Sequence, residues 1–297
     1  MLMRISDIID FVYGYLLFKA YFFNIKTNIN NTSYPNEGYA RKWREFLKSL
    51  SGDTLNKALK LVTEKEHAIF NGALDIYDCF DRSSYFALIH PNHPNITLGF
   101  LKDADLWDMW LTCGIYKIVR ENIAEVVNIS NGDKIVDFGC GSASPTFYGN
   151  IVGSSGIYTG LDYSKALLNL AYVRVKDEKI ADRVHLKQKY VDSKLVFKRC
   201  YDIVICSSIL QYVNLRSTLI NAVNALDGEG TIVVFSETFS DIDPEKTKLF
   251  DLYYSLIPSF RKFPSVKEIC EILDQMCDYR YKLIDKHLLK IEISNHF

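Results

Sequence analysis

The spacing of apolar residues changes near position 103 and divides the chain into two regions. Before that position, apolar residues recur every three to four residues, the period of amphipathic helices, along Ile5–Phe23, Tyr39–Leu50 and Thr54–Phe70. After it, short apolar runs rich in β-branched residues alternate with helical stretches. The pattern therefore predicts an all-helical N-terminal region over residues 1–103 and an α/β domain over residues 104–297.

Five apolar runs of the second region have the length and composition of strands, namely Lys134–Phe138, Ile157–Leu161, Val184–Lys189, Tyr201–Ser207 and Thr231–Ser236. Helical patterns lie before and between them, over Leu106–Val127, Ser164–Lys176 and Leu215–Leu226. Alternating strands and helices form a mainly parallel sheet. The last two runs, Arg280–Asp285 and Leu288–Ser294, are too close for a parallel crossover and must pair antiparallel. The sequence thus predicts a mainly parallel seven-stranded sheet with a terminal antiparallel hairpin.

Composition and charge narrow the functions open to this chain. It is 48% hydrophobic and 24% charged with a net charge of −1, which is typical of an ordinary globular protein. Nucleic acid is disfavoured as a partner, because binding to phosphates needs clustered Lys and Arg. The seven cysteines include no C-x-x-C pair, which argues against a disulfide framework or a zinc site and favours a cytoplasmic location.

The strongest chemical signal lies at the end of the first predicted strand, where the sequence reads Asp137-Phe138-Gly139-Cys140-Gly141. Glycines permit a tight turn and let a ligand approach the backbone, and parallel α/β sheets bind ligands at the carboxyl ends of their strands. A dinucleotide turn would carry a third glycine where this chain has Ser144. Asp137 would repel a pyrophosphate but not an ammonium or a sulfonium. The turn therefore indicates S-adenosylmethionine rather than NAD or FAD.

This turn resembles the first motif of the class I (Rossmann-like) methyltransferases, D/E-x-G-x-G-x-G, with Ala143 at the third glycine position. The resemblance continues through three later segments that match further motifs of the family in order, namely Gly160–Ser164, Tyr190–Asp192 and Tyr201–Tyr212. It implies a Rossmann-like fold and an S-adenosylmethionine cofactor. The terminal hairpin matches the one that separates these methyltransferases from dehydrogenases.

The resemblance also implies which residues hold the cofactor. Asp162 would accept hydrogen bonds from both ribose hydroxyls, since a carboxylate has two acceptor oxygens and no donor. Asp192 would receive the exocyclic amine of adenine. The remaining cofactor-binding candidates lie at the same strand ends and are Asp137, Gly139, Cys140, Gly141, Tyr163, Ser207 and Gln211.

Methyl transfer from a sulfonium dictates no universal catalytic residue, because a base is needed only when the nucleophile holds a proton. Tyr212 follows the fourth predicted strand and should lie near the methyl group. Glu237 follows the fifth strand and could meet the substrate, and His90 could reach the site from its proline-rich loop. Each of the three also has a plain structural alternative. We predict no metal, since no clear ligand spacing occurs.

Substrate selectivity is expected outside the sheet. Residues 238–264 form an aromatic-rich connection, which predicts a lid-like insertion over a pocket for a small organic substrate. The stretch Asp10–Ala20 resembles the first helix of dimerising small-molecule methyltransferases. It therefore predicts homodimer contacts through the N-terminal helices, and its charges argue against a signal peptide or a membrane span.

Three functions fit these observations. The first is methyl transfer from S-adenosylmethionine to a small organic molecule. The second is methyl transfer to a protein, peptide or RNA, with the helices as a docking surface. The third is a catalytically silent protein that binds S-adenosylmethionine, which the intact acidic and glycine positions disfavour.

Overall fold

A computed structural model describes residues 4–50, 52–63, 73–90, 102–197 and 200–296. The described helices are α1 (Ile5–Thr27), α2 (Glu37–Lys48), α3 (Gly52–Thr63), α4 (Ala73–Ile89), α5 (Ala104–Thr112), α6 (Gly114–Val127), α7 (Ser144–Ile151), α8 (Lys165–Asp177), α9 (Leu215–Ala225), α10 (Pro244–Tyr254) and α11 (Val266–Leu273). The described strands are β1 (Lys134–Phe138), β2 (Ile157–Asp162), β3 (Val184–Gln188), β4 (Tyr201–Ser207), β5 (Leu226–Phe235), β6 (Cys277–Ile284) and β7 (Leu288–His296).

The strands form one sheet in the order β3-β2-β1-β4-β5-β7-β6. The first five strands are mutually parallel, and β7 pairs antiparallel with both β5 and β6. This arrangement confirms the predicted Rossmann-like sheet and its terminal hairpin. Strand β1 lies between β2 and β4, so the strand order reverses there. Ligands of open α/β sheets bind at such a reversal, beyond the carboxyl ends of the strands.

One predicted helix is wrong as a single element. The stretch Leu106–Val127 is two helices, α5 and α6, which meet at an extended Cys113 with φ −67° and ψ 163°. The side chain of Arg120 donates from Nη1 to the carbonyl oxygen of Leu111 at 2.8 Å. That bond satisfies a carbonyl left without a helical partner at the end of α5. Because the partner lies nine residues away, local hydrophobic spacing could not show the break.

Two further differences concern predicted helices. The predicted third helix begins as expected, but its continuation over residues 64–70 lies outside the described residues. The predicted insertion at 238–264 contains a helix, α10, that the sequence pattern did not predict. Asp243 caps it by accepting a hydrogen bond from the backbone N–H of Lys246, and Pro244 occupies its first turn. This is the side-chain and proline chemistry that helix starts favour.

The N-terminal helices and the insertion pack together. Lys246 of α10 forms an ion pair with Asp10 of α1 at 2.7 Å. The hydroxyl of Tyr253 donates to the carbonyl oxygen of Leu16 at 3.3 Å. The hydroxyl of Tyr39 donates to the carbonyl oxygen of Leu252 at 3.2 Å. The predicted cap and the predicted lid are therefore one contiguous layer. Its division from the sheet at residue 103 stays a prediction.

Helix α1 is long and apolar enough to cross a membrane by length and composition, but 56% of its most apolar stretch is buried inside the protein. It packs against α3, α4 and α10. Gly14 lies at its crossing with α3, where an added Cβ would meet the Cβ of Leu61 at 2.8 Å. The absence of a side chain at this position lets the two helices approach closely.

We expect Gly14→Ala to lower the free energy of unfolding by about 1–3 kcal/mol, because extra atoms in a packed helix crossing force the neighbours apart. Urea denaturation followed by circular dichroism measures the change. Gly38→Ala is the matched control, since its added Cβ would meet only Asn36 Oδ1 at an ordinary 3.7 Å. An equal loss in both variants would show that the α1–α3 crossing does not restrict residue 14.

Candidate cofactor and substrate site

A cavity of about 260 Å³ opens at the carboxyl ends of the parallel strands. Its floor is the turn after β1 and the ends of β2, β4 and β5. Helices α5 and α6 supply one wall through Trp107, Trp110, Leu111, Tyr116 and Arg120. The insertion closes another side with Ser259 and Arg261. The cavity thus lies where the strand order reverses and beneath the helical layer.

The glycine turn after β1 forms the central part of the floor. Gly139 and Gly141 have φ angles of +75° and +58°, a region that glycine adopts without steric cost. An added Cβ would lie 2.8 Å from Ile209 Cδ1 at the first position and 2.7 Å from Leu111 Cδ1 at the second. Both glycines are therefore required by backbone conformation and by the close approach of neighbouring side chains.

Asp162 ends β2 and faces the cavity. Its two oxygens are already oriented by backbone donors, because Oδ2 accepts from Gly141 N at 2.9 Å and Oδ1 accepts from Ser164 N at 2.8 Å. Burial raises the pKa of this carboxyl, and the hydrogen bonds from Ser164 and Gly141 oppose that rise. A carboxylate has about four acceptor positions. The bonds from Gly141 and Ser164 therefore do not use the whole acceptor capacity of Asp162, and the rest can receive hydroxyl donors of a ligand.

Two aromatic rings and a carboxylate form the outer part of the cavity. The rings of Tyr163 and Tyr190 stack with centroids 5.6 Å apart. Asp192 accepts a hydrogen bond at Oδ2 from Asn214 N at 2.9 Å and lies 3.9 Å from the guanidinium of Arg261. All of these side chains except Asn214 line the cavity. The arrangement offers flat aromatic surface beside an acceptor, which suits a purine base.

The inner end of the cavity holds a buried carboxylate. Glu237 is 3% exposed, and its Oε1 accepts from the hydroxyls of Tyr116 at 2.8 Å and Ser208 at 2.7 Å. Oε2 accepts from Gln211 Nε2 at 3.1 Å. Burial raises the pKa of Glu237, and the hydrogen bond from Ser208 opposes that rise. No ion pair with Lys or Arg balances this carboxylate among the described residues.

The structure brings most of the predicted residues together. Gly139, Cys140, Gly141, Asp162, Tyr163, Asp192, Ser207, Tyr212 and Glu237 all line the cavity. Gln211 does not reach it, since it is fully buried behind Glu237 and holds that carboxylate. His90 is an exposed residue just past the end of α4, with its ring against Phe86. Neither residue is therefore positioned to touch a molecule in the cavity.

Asp137 does not lie where the sequence predicted, among the residues that would contact the cofactor. It is buried behind the glycine turn, where Oδ2 accepts from the hydroxyl of Tyr158 at 2.7 Å and Oδ1 has no partner among the described residues. Burial raises the pKa of Asp137 to about 7. It does not line the cavity, so it is not positioned to contact a molecule there.

We expect Asp137→Asn to stabilise the protein in a pH-dependent way when no cofactor is bound. The pKa of Asp137 is about 7 in the folded protein and near 4 in the unfolded chain. The protonated carboxyl therefore contributes fully to stability below pH 4, and this contribution is lost as the pH rises towards 7. Asparagine keeps an acceptor for Tyr158 and does not ionise. The difference in melting temperature, variant minus wild type, should therefore grow from pH 4 to pH 7 and level off above. A difference independent of pH would contradict the raised pKa.

The hydrophobic pattern did not assign functional roles to three cavity residues. Tyr116 and Arg120 lie on the buried face of α6, one helical turn apart, and Ser208 follows β4 with φ +50°. A basic residue on the buried face of an amphipathic helix and a strained residue after a strand are both signals of a site. The hydrogen bond from Tyr116 to Glu237 joins residues 121 positions apart in the chain. The sequence pattern alone therefore could not predict it.

Comparisons with known proteins relate this sheet and its glycine turn to methyltransferases. A family model described as a methyltransferase domain matches residues 129–279. MJ0906 of Methanocaldococcus jannaschii, an uncharacterized protein, is 34% identical over 220 residues. The match covers 73% of this chain but only 59% of that protein. A demethylmenaquinone methyltransferase of Staphylococcus epidermidis is 28% identical over 180 residues, which cover 59% of this chain and 71% of the relative.

Two solved structures share the fold across most of the chain. The pyocyanin biosynthetic protein PhzM aligns with a TM-score of 0.54 and 17% identity, and the match covers 85% of this chain and 76% of that one. A candidate O-methyltransferase of Nostoc punctiforme aligns with a TM-score of 0.52 and 16% identity, covering 78% of this chain and 70% of that one. At such low identity these two structures support the architecture alone.

Proposed function

The chain belongs to the S-adenosylmethionine-dependent methyltransferases with a Rossmann-like fold, and we propose that it transfers a methyl group to a small organic molecule. The observation that carries this proposal is the buried carboxylate of Glu237 at the inner end of the cavity. It lies in the same cavity as the glycine turn and Asp162. One cavity thus offers cofactor-binding groups and a proton acceptor.

The residues present fit the cofactor. Asp162 would hold the ribose with its remaining acceptor capacity, and the glycine turn admits a ligand close to the backbone. Tyr163, Tyr190 and Asp192 would hold the adenine. The cofactor supplies an electrophilic methyl group on a sulfonium, and the leaving group is neutral. The protein then has to align the nucleophile and exclude water.

Glu237 is suited to take a proton from the acceptor. Its side chain accepts three hydrogen bonds, two on Oε1 and one on Oε2, and a carboxylate has about four acceptor positions. We assign the hydroxyl or protonated amine of the substrate to Oε2, which accepts from Gln211 Nε2. The raised pKa makes Glu237 a stronger base than an exposed glutamate. Tyr212, which also lines the cavity, would position the acceptor rather than exchange protons, since burial raises its pKa well above 10.

The walls of the inner cavity favour a small and largely apolar substrate. The apolar side chains that line the cavity beside Tyr212 are those of Trp107, Trp110, Leu111, Ile209 and Val213. Phe260 of the insertion packs against Tyr212 at a centroid distance of 6.3 Å without lining the cavity. Apolar aromatic walls with few polar groups are typical of small-molecule pockets. The Staphylococcus epidermidis relative is named for a small-molecule substrate, which supports this class over a protein or an RNA.

Label transfer from S-adenosylmethionine tests the proposed function. Purified protein is incubated with methyl-labelled cofactor and a cell extract, the unreacted cofactor is removed by chromatography, and the labelled products are separated by mass into small molecules and macromolecules. We expect label in the small-molecule fraction and none when Asp162→Ala replaces the wild type. Label in protein or RNA would favour a macromolecular substrate. No transferred label in any fraction would favour a silent binding protein.

Homodimer formation and a cytoplasmic location stay predictions. Helix α1 exposes Tyr21, Phe22 and Ile25 at 39%, 50% and 59%, and Phe86 of α4 is exposed at 48%. Contiguous exposed apolar groups favour a protein contact, and we propose that these helices meet a second copy. Light scattering after size-exclusion chromatography should give about twice the chain mass of 34.2 kDa. A strict monomer at micromolar concentration would contradict the dimer.

A further inference from the structure

Glu237 lies at the inner end of the cavity with only neutral hydrogen-bond donors around it. Its Oε1 accepts from the hydroxyls of Tyr116 and Ser208, and its Oε2 accepts from the amide of Gln211. These bonds orient the carboxylate but leave its negative charge without a counter-ion among the described residues. A buried charge is costly unless an opposite charge meets it. A molecule that brings a positive charge to this end should therefore bind more tightly than a neutral molecule of the same shape.

The positive side chains that line the cavity interact with other groups or lie far from this end. Arg120 interacts electrostatically with Asp137 behind the glycine turn. Arg261 Nη2 lies 3.9 Å from Asp192 Oδ2 at the outer end. Lys189 directly follows β3, and three strands separate β3 from β5 in the sheet. A cation for the inner carboxylate must therefore come from a bound molecule.

Aromatic rings form the walls of the space beside this carboxylate. The aromatic side chains that line the cavity there are Trp107, Trp110, Tyr116 and Tyr212. The rings of Trp110 and Tyr116 meet edge to face with centroids 5.1 Å apart. The faces of aromatic rings attract cations, and most strongly where water is excluded. The inner cavity therefore suits a cation with apolar substituents, which is the character of a protonated alkyl or aryl amine.

We propose that the methyl acceptor is the nitrogen of a small apolar amine, which enters the cavity as an ammonium ion paired with Glu237. The inference rests on the proposed function and names its substrate class. The ammonium gives one proton to the carboxylate, which frees the lone pair of the nitrogen. That lone pair forms a bond to the methyl carbon while the bond from this carbon to sulfur breaks. The products are neutral S-adenosylhomocysteine and the N-methylated ammonium, and the proton on Glu237 then passes to solvent.

An alcohol or a phenol would fit the aromatic walls but not the charge. Both are neutral near neutral pH, so neither offsets the carboxylate when it binds. The sulfonium of the cofactor also brings a positive charge, which is lost when the methyl group leaves. S-adenosylhomocysteine lacks that charge. Its complex with the protein therefore isolates the preference of the site for a cationic substrate.

Probes of equal size measure this preference by titration calorimetry on the protein saturated with S-adenosylhomocysteine. One set is benzylamine, benzyl alcohol and 4-methylphenol, and the other is butylamine and 1-butanol. We expect the amine of at least one set to bind about 10- to 100-fold more tightly than its neutral counterparts, the effect of a charge-assisted hydrogen bond. Glu237→Gln should abolish the preference. Glu229→Gln, exposed near the start of β5, should retain it.

The other outcomes overturn the amine. They are equal affinities within both sets, tighter binding of 4-methylphenol, no binding of any probe, or a preference that persists in Glu237→Gln. Binding of S-adenosylhomocysteine by that variant shows that it is folded, whereas no binding by the wild type would contradict the proposed function itself. The label-transfer experiment separates the two claims again. Labelled small molecules that move into toluene from alkaline but not from acidic water are the expected amines, and any other labelled small molecule would keep the proposed function and overturn the amine.

Discussion

Asp162→Ala should weaken the binding of S-adenosylhomocysteine by at least about 100-fold. The substitution removes the carboxylate oxygens that we assign to the ribose hydroxyls, and each hydrogen bond to a charged group contributes about 1.5–3 kcal/mol. It also leaves the backbone N–H groups of Gly141 and Ser164 without their acceptor. The glycine turn then loses one of its hydrogen bonds to β2 and keeps those from Gly139 N and Cys140 N to the carbonyl oxygen of Leu161. Titration calorimetry measures the change directly.

The matched control for this substitution is Asp182→Ala. That carboxylate lies on the loop between α8 and β3 with its side chain 67% exposed, and we expect no change in affinity. Melting temperatures of both variants report on folding independently of the ligand. If Asp162→Ala binds S-adenosylhomocysteine within about threefold of the wild type, Asp162 does not hold the ribose and the assignment of the cofactor site is wrong.

Glu237→Gln should lower the rate of methyl transfer by about 10²- to 10⁴-fold, the usual contribution of a positioned general base. Glutamine has nearly the same shape but cannot accept the proton. Cofactor affinity should stay within about threefold, because Glu237 lies at the inner end of the cavity and not among the groups assigned to ribose or adenine. The measurement is transfer of labelled methyl to the small-molecule fraction under single-turnover conditions.

The pH dependence of the wild type provides a second check on Glu237. A base must be ionised, so the rate should rise with pH through the pKa of this carboxyl. Burial raises that pKa, and the rise in rate should therefore occur at a higher pH than for an exposed glutamate. Glu229→Gln, at the exposed start of the same strand, should leave the profile unchanged. An unaltered rate in Glu237→Gln would show that the acceptor needs no base.

The sequence predicted the site residues that lie at or directly after the ends of strands. The turn at Gly139 and Gly141 follows from backbone chemistry that only glycine supplies. Asp162 and Glu237 each follow a buried strand, and the carboxyl ends of parallel strands share one edge of the sheet. The sequence therefore predicts that both carboxylates lie at the same edge of the sheet. The strand order then places the two carboxylates at opposite ends of the cavity.

The parts that sequence did not predict depend on contacts between distant residues. Gln211 follows β4 as expected, but its side chain turns inward to hold Glu237, because a buried carboxylate needs donors. Asp137 is covered by Tyr158 of the neighbouring strand and so lies behind the turn. The break at Cys113 places Arg120 against the end of α5, which hydrophobic periodicity alone could not show.

The affinities of two cofactor ligands, measured side by side, decide whether this cavity binds S-adenosylmethionine. S-adenosylhomocysteine and NAD are titrated separately into the wild-type protein by calorimetry under the same buffer conditions. We expect saturable binding of S-adenosylhomocysteine at one molecule per chain and no detectable binding of NAD, because the turn lacks the third glycine of a dinucleotide site and carries an acidic residue ahead of its glycines. Binding of NAD in preference to S-adenosylhomocysteine, or binding of neither, would contradict the assignment.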